Sequence, residues 1–178
     1  GYDPREFPLI CAGGAGPVHG ALIATELGVG RVIVPREASI FCAAGMLRTD
    51  LEHDYVRSCA RPLERTRAGD ARIRVLLRQM QAQARATLRA EGVANSRQRL
   101  RASMDLRYLG QYHEVNVAVP EEVLARLDWE EVRERFHRRH DQLYGYHLRE
   151  EGTKVELLNL RLAATGITAK PRIARERR

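Results

Sequence analysis

The sequence predicts a mixed α/β fold in two parts, a strand–helix–strand unit followed by a smaller α+β module. Three observations carry this. Short apolar runs LICA (9–12) and RVIVP (31–35) flank a helix-forming stretch that Pro17 suits at its start and Gly28 at its stop. An apolar stripe of helical period runs through Ile73, Leu76, Leu77, Met80, Ala84 and Leu88. Beyond it the period becomes two, with Leu100, Ala102, Met104, Leu106 and Tyr108 alternating against Arg101, Ser103, Asp105 and Arg107.

A strand–helix–strand unit this compact pairs its strands in parallel with a right-handed crossover and implies a larger sheet. Residues 38–47 (ASIFCAAGML) read as a short helix or an apolar loop. Residues 51–59 (LEHDYVRSC) read as a strand leaving the unit, and RPLERTRAG (61–69) as the boundary. This divides the chain into 1–60, 61–168 and a basic tail, 169–178. In the second part Asp70 is placed to cap the long amphipathic helix and Gly92 to end it. Val115, Val117 and Val119 continue the alternation after Gly110, giving a hairpin. Asp128 with Glu131 forms a capping-box pattern before a second helix over Trp129, Val132, Phe136, His140 and Leu143. The last strand is VELLNLRLAA (155–164), with Leu158, Leu160 and Leu162 placed on one face.

With 44% apolar and 30% charged residues in 178, the chain is long enough for a real core and is not of disordered composition. No apolar run approaches the roughly 20 residues of a membrane span, so a cytoplasmic location with no membrane association is expected. Cys11, Cys42 and Cys59 form no CxxC pair and read as buried or idle thiols. The net charge of +7 raises nucleic-acid binding, but arginines are interspersed with acids everywhere except KPRIARERR (170–178), the pattern of a solvated surface.

Chemistry concentrates in CAGGAGPVHG (11–20). Glycines between a strand and a helix expose backbone N–H groups and admit a ligand close to the main chain, at the positive end of the helix dipole. Phosphate is the natural occupant. The spacing matches neither the GxxxxGK[ST] loop nor GxGxxG, so a tight packing turn explains the motif equally well. His19 falls in the first helical turn beside the loop, where a neutral imidazole could accept a proton or bind a metal; the alternative is a histidine hydrogen-bonded within its lobe. His137, His140 and His147 with Asp141 invite a metal reading, but His140 lies on the apolar stripe and reads as a core histidine, so no metal ligand is assigned. His53 and Asp54 with Asp50 lack a nucleophile, Cys42 has apolar neighbours and no partner, and Asp105, Arg107 and Gln111 read as polar faces of a strand and its turn.

The run GYDPREFPLICAGGAGPVHGALIATELGVGRVIVP, then IFCAAGMLRTDLEHDYVR, resembles the C-terminal part of the hydantoinase A and 5-oxoprolinase family, which includes the ATP-binding subunits of acetone and acetophenone carboxylases. DLRYLGQ (105–111), the spaced Phe136, His140, Tyr144, Gly145 and Tyr146, and VELLNLRL (155–162) extend the resemblance over nearly the whole chain. It implies that residues 1–60 end an actin/Hsp70-like (ribonuclease H-like) ATPase lobe, with a smaller α+β C-terminal domain after it. It implies ATP, with Mg, as the cofactor and places Gly13, Gly14, Ala15 and Gly16 along the nucleotide. Ala12 stands where the family has an aromatic, and Ala38 and Ser39 where it often has Pro-Gly, departures that touch loop geometry.

The implied activity is ATP-dependent hydrolysis of a cyclic amide such as a hydantoin, N-methylhydantoin or 5-oxoproline, by phosphorylation of the amide oxygen. The alternatives are the ATP-binding subunit of an acetone- or acetophenone-type carboxylase, and a non-catalytic structural or RNA-binding module. A hydantoinase B type subunit or domain is the implied partner. The family's Asp-x-Gly-Gly-Thr phosphate loop and second Asp-Gly-Gly motif do not occur here. The expectation is a C-terminal piece of a longer subunit, inactive alone, whose catalytic residues lie in the missing portion, with His19 the one candidate in this chain.

Overall fold

The computed structural model describes residues 2–171. They form two compact units: one made of the residues up to Thr49 with those from Thr168, the other Asp50–Ile167. The basic run from 170 lies almost wholly outside the described residues.

In the first unit β1 (Leu9–Ile10) and β2 (Val32–Ile33) pair in parallel, Leu9 opposite Val32 and Ile10 opposite Ile33. Both are shorter than the apolar runs suggest, because only two residues of each find ladder partners. Helix α1 (Gly16–Leu27) crosses between them, with Pro17 in its first turn and Gly28 closing it in the left-handed region at φ +66°. Residues 38–46 are helical: a 3₁₀ turn at Ala38–Ile40 runs into α2 (Phe41–Met46). Cys42, read from its apolar neighbours as buried or idle, is exposed there, whereas Cys11 and Cys59 are buried.

The second unit is a four-stranded antiparallel sheet with helices on one face. Its strands are β3 (Leu51–Pro62), β4 (Gln98–Tyr108), β5 (Val115–Val119) and β6 (Val155–Gly166), ordered β3-β6-β4-β5. The stretch read as leaving the first unit is thus an edge strand of the second unit's sheet. β4 and β5 pair as the alternation predicts, Met104 opposite Val117. Helix α3 (Arg67–Ala90) packs on β6, β3 and β4, burying Ile73, Leu77, Met80, Ala84 and Leu88. Its cap is Thr66, which accepts the Gly69 N–H, and not Asp70. Asp70 sits in the first turn and accepts the Trp129 indole N–H at 3.0 Å, tying α3 to α5 (Trp129–Tyr144). Only half of the capping box forms: Asp128 accepts the Glu131 N–H at 3.2 Å, but its own N–H donates to Val123 O at 3.1 Å and the Glu131 carboxylate pairs with Arg135 instead.

Two further features depart from the expected pattern. The second part holds three helices, not two: α4 (Glu121–Arg126) starts directly after Pro120 and ends at Leu127, a buried residue at φ +49°. Six residues are too few to establish a helical period. In β6, Asn159 lies opposite Asp105 but Leu157 lies opposite Leu106, so Leu158 is an inserted bulge residue. Leu158 therefore leaves the face it was assigned to. The buried series is Val155 and Leu157, then Leu160, Leu162 and Ala164.

The sheet's two faces carry different chemistry. Under the helices lies the core, and on the reverse face Asp105 is buried among polar partners. It accepts from Arg161 Nε at 2.6 Å, Asn116 Nδ2 at 2.7 Å and Asn159 Nδ2 at 3.0 Å. Beside it Arg107 Nε donates to Glu156 at 2.7 Å.

On the helix face, at the end of β4, Tyr108 is fully buried against Phe136. Its hydroxyl accepts the Leu148 N–H at 2.8 Å and donates to His137 Nδ1 at 2.6 Å, which puts the His137 proton on Nε2. Burial pushes the Tyr108 phenol up, keeping it a donor, and pushes the His137 imidazole below the ordinary histidine value. Replacing Tyr108 by Phe strands both partners and is expected to lower stability by about 1–3 kcal/mol in urea unfolding. The unfolded chain protonates His137 at a higher pH than the folded one does. Stability from this residue is therefore lost as pH falls through about 6.5 towards the lower folded value, and the urea midpoint is expected to drop between pH 8 and 5.5 by less in His137→Phe.

Candidate functional site

The glycine loop joins β1 to α1, and three contacts fix its shape. Cys11 N–H donates to Ile33 O at 2.9 Å, extending the parallel pair one step beyond the strand. Gly13 N–H then donates to Ala38 O at 2.6 Å, tying the loop to the 3₁₀ turn. Finally α1 rests on the strand end through Gly20: a Cβ there would lie 2.3 Å from Cys11 Sγ and 3.6 Å from Val32. No sequence motif marks Gly20, yet it allows the helix to approach closely enough to hold the loop taut.

Within that frame Gly13 adopts φ +85°, a conformation that a side chain strains. A Cβ at Gly13 or Gly14 would meet nothing within 4 Å, and Gly13, Gly14 and Ala15 are exposed. Ala15 caps α1 without a side-chain hydrogen bond, and among the described residues no hydrogen bond takes up the N–H of Gly14, Ala15 or Gly16. These N–H groups sit at the positive end of a 12-residue helix, beside the open space around Gly13 and Gly14, while Gly16 rests against Cys11. This cradle suits a group rich in acceptor oxygens. His19 lies in the same first turn, exposed and with no hydrogen bond or ion pair among the described residues.

The other sequence candidates are occupied elsewhere. His140 donates through Nδ1 to Tyr146 O at 2.8 Å and accepts at Nε2 from Gln111 at 3.1 Å, the core histidine that its stripe predicts. His147 is exposed with its ring 6.3 Å from that of His137, which Tyr108 holds, and no three metal-ligating side chains come together among the described residues. His53 pairs with Glu91 across 38 residues at 2.9 Å, a partner on another element from Asp54. Burial raises the Cys59 thiol, keeping it protonated. No described helix is long and apolar enough to cross a membrane.

The chain is similar to known proteins along its whole length. A family described as hydantoinase/oxoprolinase matches residues 1–55, and the hydantoinase/oxoprolinase C-terminal domain matches residues 63–178. Caprolactamase subunit alpha of Pseudomonas jessenii is 34% identical over 172 residues, 96% of this chain and 24% of that protein. The crystal structure of the ATP-dependent caprolactamase from the same organism superposes with a TM-score of 0.64 at 33% identity, covering 98% of this chain and 26% of that one. The nucleotide-free structure of acetone carboxylase gives a TM-score of 0.81 at 23% identity over 99% of this chain and 26% of that one, a likeness of fold. The chain thus spans about a quarter of the length of these relatives.

The loop geometry separates two neighbouring glycines. Gly13→Val is expected to lower the melting temperature through left-handed strain of about 1–2 kcal/mol, whereas Gly14→Val, entering open space, is expected to leave it unchanged in a thermal scan.

Proposed function

The chain belongs to the hydantoinase/oxoprolinase family, and on that footing we propose that Gly13, Gly14, Ala15 and Gly16 form one wall of an ATP site in a longer subunit that opens a cyclic amide. The observation that carries this reading is the start of α1 without a side-chain cap, where the N–H groups of Gly14, Ala15 and Gly16 have no partner among the described residues and nothing lies within 4 Å of a Cβ at Gly13 or Gly14. Nucleotide oxygens fit such donors, and the missing Cβ atoms let the ligand reach the main chain. ATP, carried with Mg, would supply a phosphoryl group to the amide oxygen. Amide resonance makes the ring carbonyl a poor electrophile, and phosphorylation relieves this before water attacks.

The residues of this chain orient and neutralise. The N–H groups of Gly14, Ala15 and Gly16 hold the nucleotide, and the Gly13–Ala38 bond keeps them aimed. His19, exposed in the same turn, is the candidate side chain for proton exchange there. Supporting the amide reading over ketone carboxylation is the 34% identity to a caprolactamase subunit along nearly the whole chain. The ATPase lobe is read as actin/Hsp70-like from the family resemblance, with the second lobe and a hydantoinase B type partner outside this chain. The 178 residues alone are then insufficient for turnover.

Calorimetric titration of the full-length subunit with ADP tests the assignment. Gly14→Val is expected to weaken binding at least tenfold with an unchanged melting temperature. Binding equal to wild type would remove the loop from the site. ATP hydrolysis stimulated by a lactam or hydantoin, and not by a ketone, is the outcome expected for the substrate class.

A further inference from the structure

The unit Asp50–Ile167 carries a groove of about 650 Å³ that the nucleotide reading does not use. Its floor is apolar, formed by Leu77 of α3, Leu100 of β4, Val119 of β5, Leu124 of α4 and Leu162 of β6. Its rim is basic: Arg74, Arg78 and Arg85 from α3, Arg101 from β4 and Arg135 from α5 stand against Glu121. Three of these arginines are committed. Arg74 donates to Ala125 O at 2.9 Å, Arg135 meets Glu131 at 2.8 Å, and Arg101 reaches Glu52 at 3.5 Å. Arg78 and Arg85 are exposed and have no hydrogen bond or ion pair among the described residues. The unspent positive charge of the groove therefore resides on one helix face.

Two features favour a long occupant over a compact one. Residues 74, 78, 81 and 85 follow one another along the same face of α3 and span about 16 Å. Along the floor, β5 ends at Val119 opposite Ala102, so residues 98–101 of β4 have a strand neighbour only on the β6 side among the described residues. That open edge offers main-chain donors and acceptors beside an apolar floor, the setting in which extended peptides add to sheets. A chain of about five extended residues matches the 16 Å length.

We propose that this groove docks an extended, acidic segment of a partner polypeptide. Its backbone lies against the β4 edge, its apolar side chains on the leucine floor, and its carboxylates on Arg78 and Arg85. Charge complementarity selects acidic over basic partners, and the open edge selects a peptide over a small acid.

Fluorescence anisotropy of a labelled peptide alternating Glu and Leu over six residues, titrated with the purified chain, tests this. Saturable binding is expected, weakening at least tenfold between 50 and 300 mM salt. Weakening of at least tenfold is also expected in the double variant Arg78→Glu, Arg85→Glu, with Arg89→Glu, outside the groove, as the unaffected control. Circular dichroism of each variant checks that the fold is intact. Equal binding of a Lys-Leu peptide, undiminished binding to the double variant, or no binding at all overturns the proposal. Displacement of the peptide by an equimolar small apolar carboxylate such as hexanoate also overturns it, because the groove would then be a small-anion site.

Discussion

The second unit depends on its last strand being its most central one. β6 closes the chain of strands yet lies between β3 and β4, paired with both over nearly its whole length. Until it inserts, β3 has no strand neighbour and the β4–β5 hairpin has both edges open. The apolar stripe of α3 packs mainly on this strand, through Leu160, Leu162 and Ala164, so the helix has no finished surface to cover before then. Pairings between residues separated by about a hundred positions are slow to find, and this topology makes assembly of the sheet the late, cooperative event of folding.

The aromatic cluster around Tyr108 locks what β6 has organised. One hydroxyl joins the end of β4, the α5 histidine and the loop that leads into β6. On the reverse face Asp105 does a similar service, joining β4 to β5 through Asn116 and to β6 through Asn159 and Arg161. The two buried polar nodes lie on opposite faces of one strand, three residues apart. Register is thus fixed from both sides, beyond what an apolar pattern alone enforces.

Legibility in the sequence followed the length of the repeating signal. The α3 stripe persists over more than four turns and appears in the structure as read, whereas of the Asp128–Glu131 box only the Asp128 cap forms, because Val123 O takes the Asp128 N–H and Arg135 the Glu131 carboxylate. Helix α4 is not legible in the sequence because six residues after a proline show no period, and Thr66 is hidden as a cap by Asp70, which is also a good capping residue. The glycine loop was visible at once, but its tension was not, because Gly20 acts through a contact with Cys11 that no spacing encodes. The arginines of α3 read as an ordinary solvated face. Only the fold shows that Arg78 and Arg85 overlook an apolar floor contributed by three strands and a second helix.

The bulge at Leu158 divides β6 into two stretches of opposite phase, Val155–Leu157 before it and Leu160–Gly166 after it. Each stretch is anchored by its own buried residues, and the single extra position reconciles them. Side chains along this strand can therefore be exchanged one for another, within the limits of volume, without disturbing the rest. Its length cannot: deleting or adding one residue would turn one half of the strand inside out, presenting leucines to the polar network or Asn159 and Arg161 to the core. The segment thus accommodates substitution only, and added residues fit in the loops on either side of it.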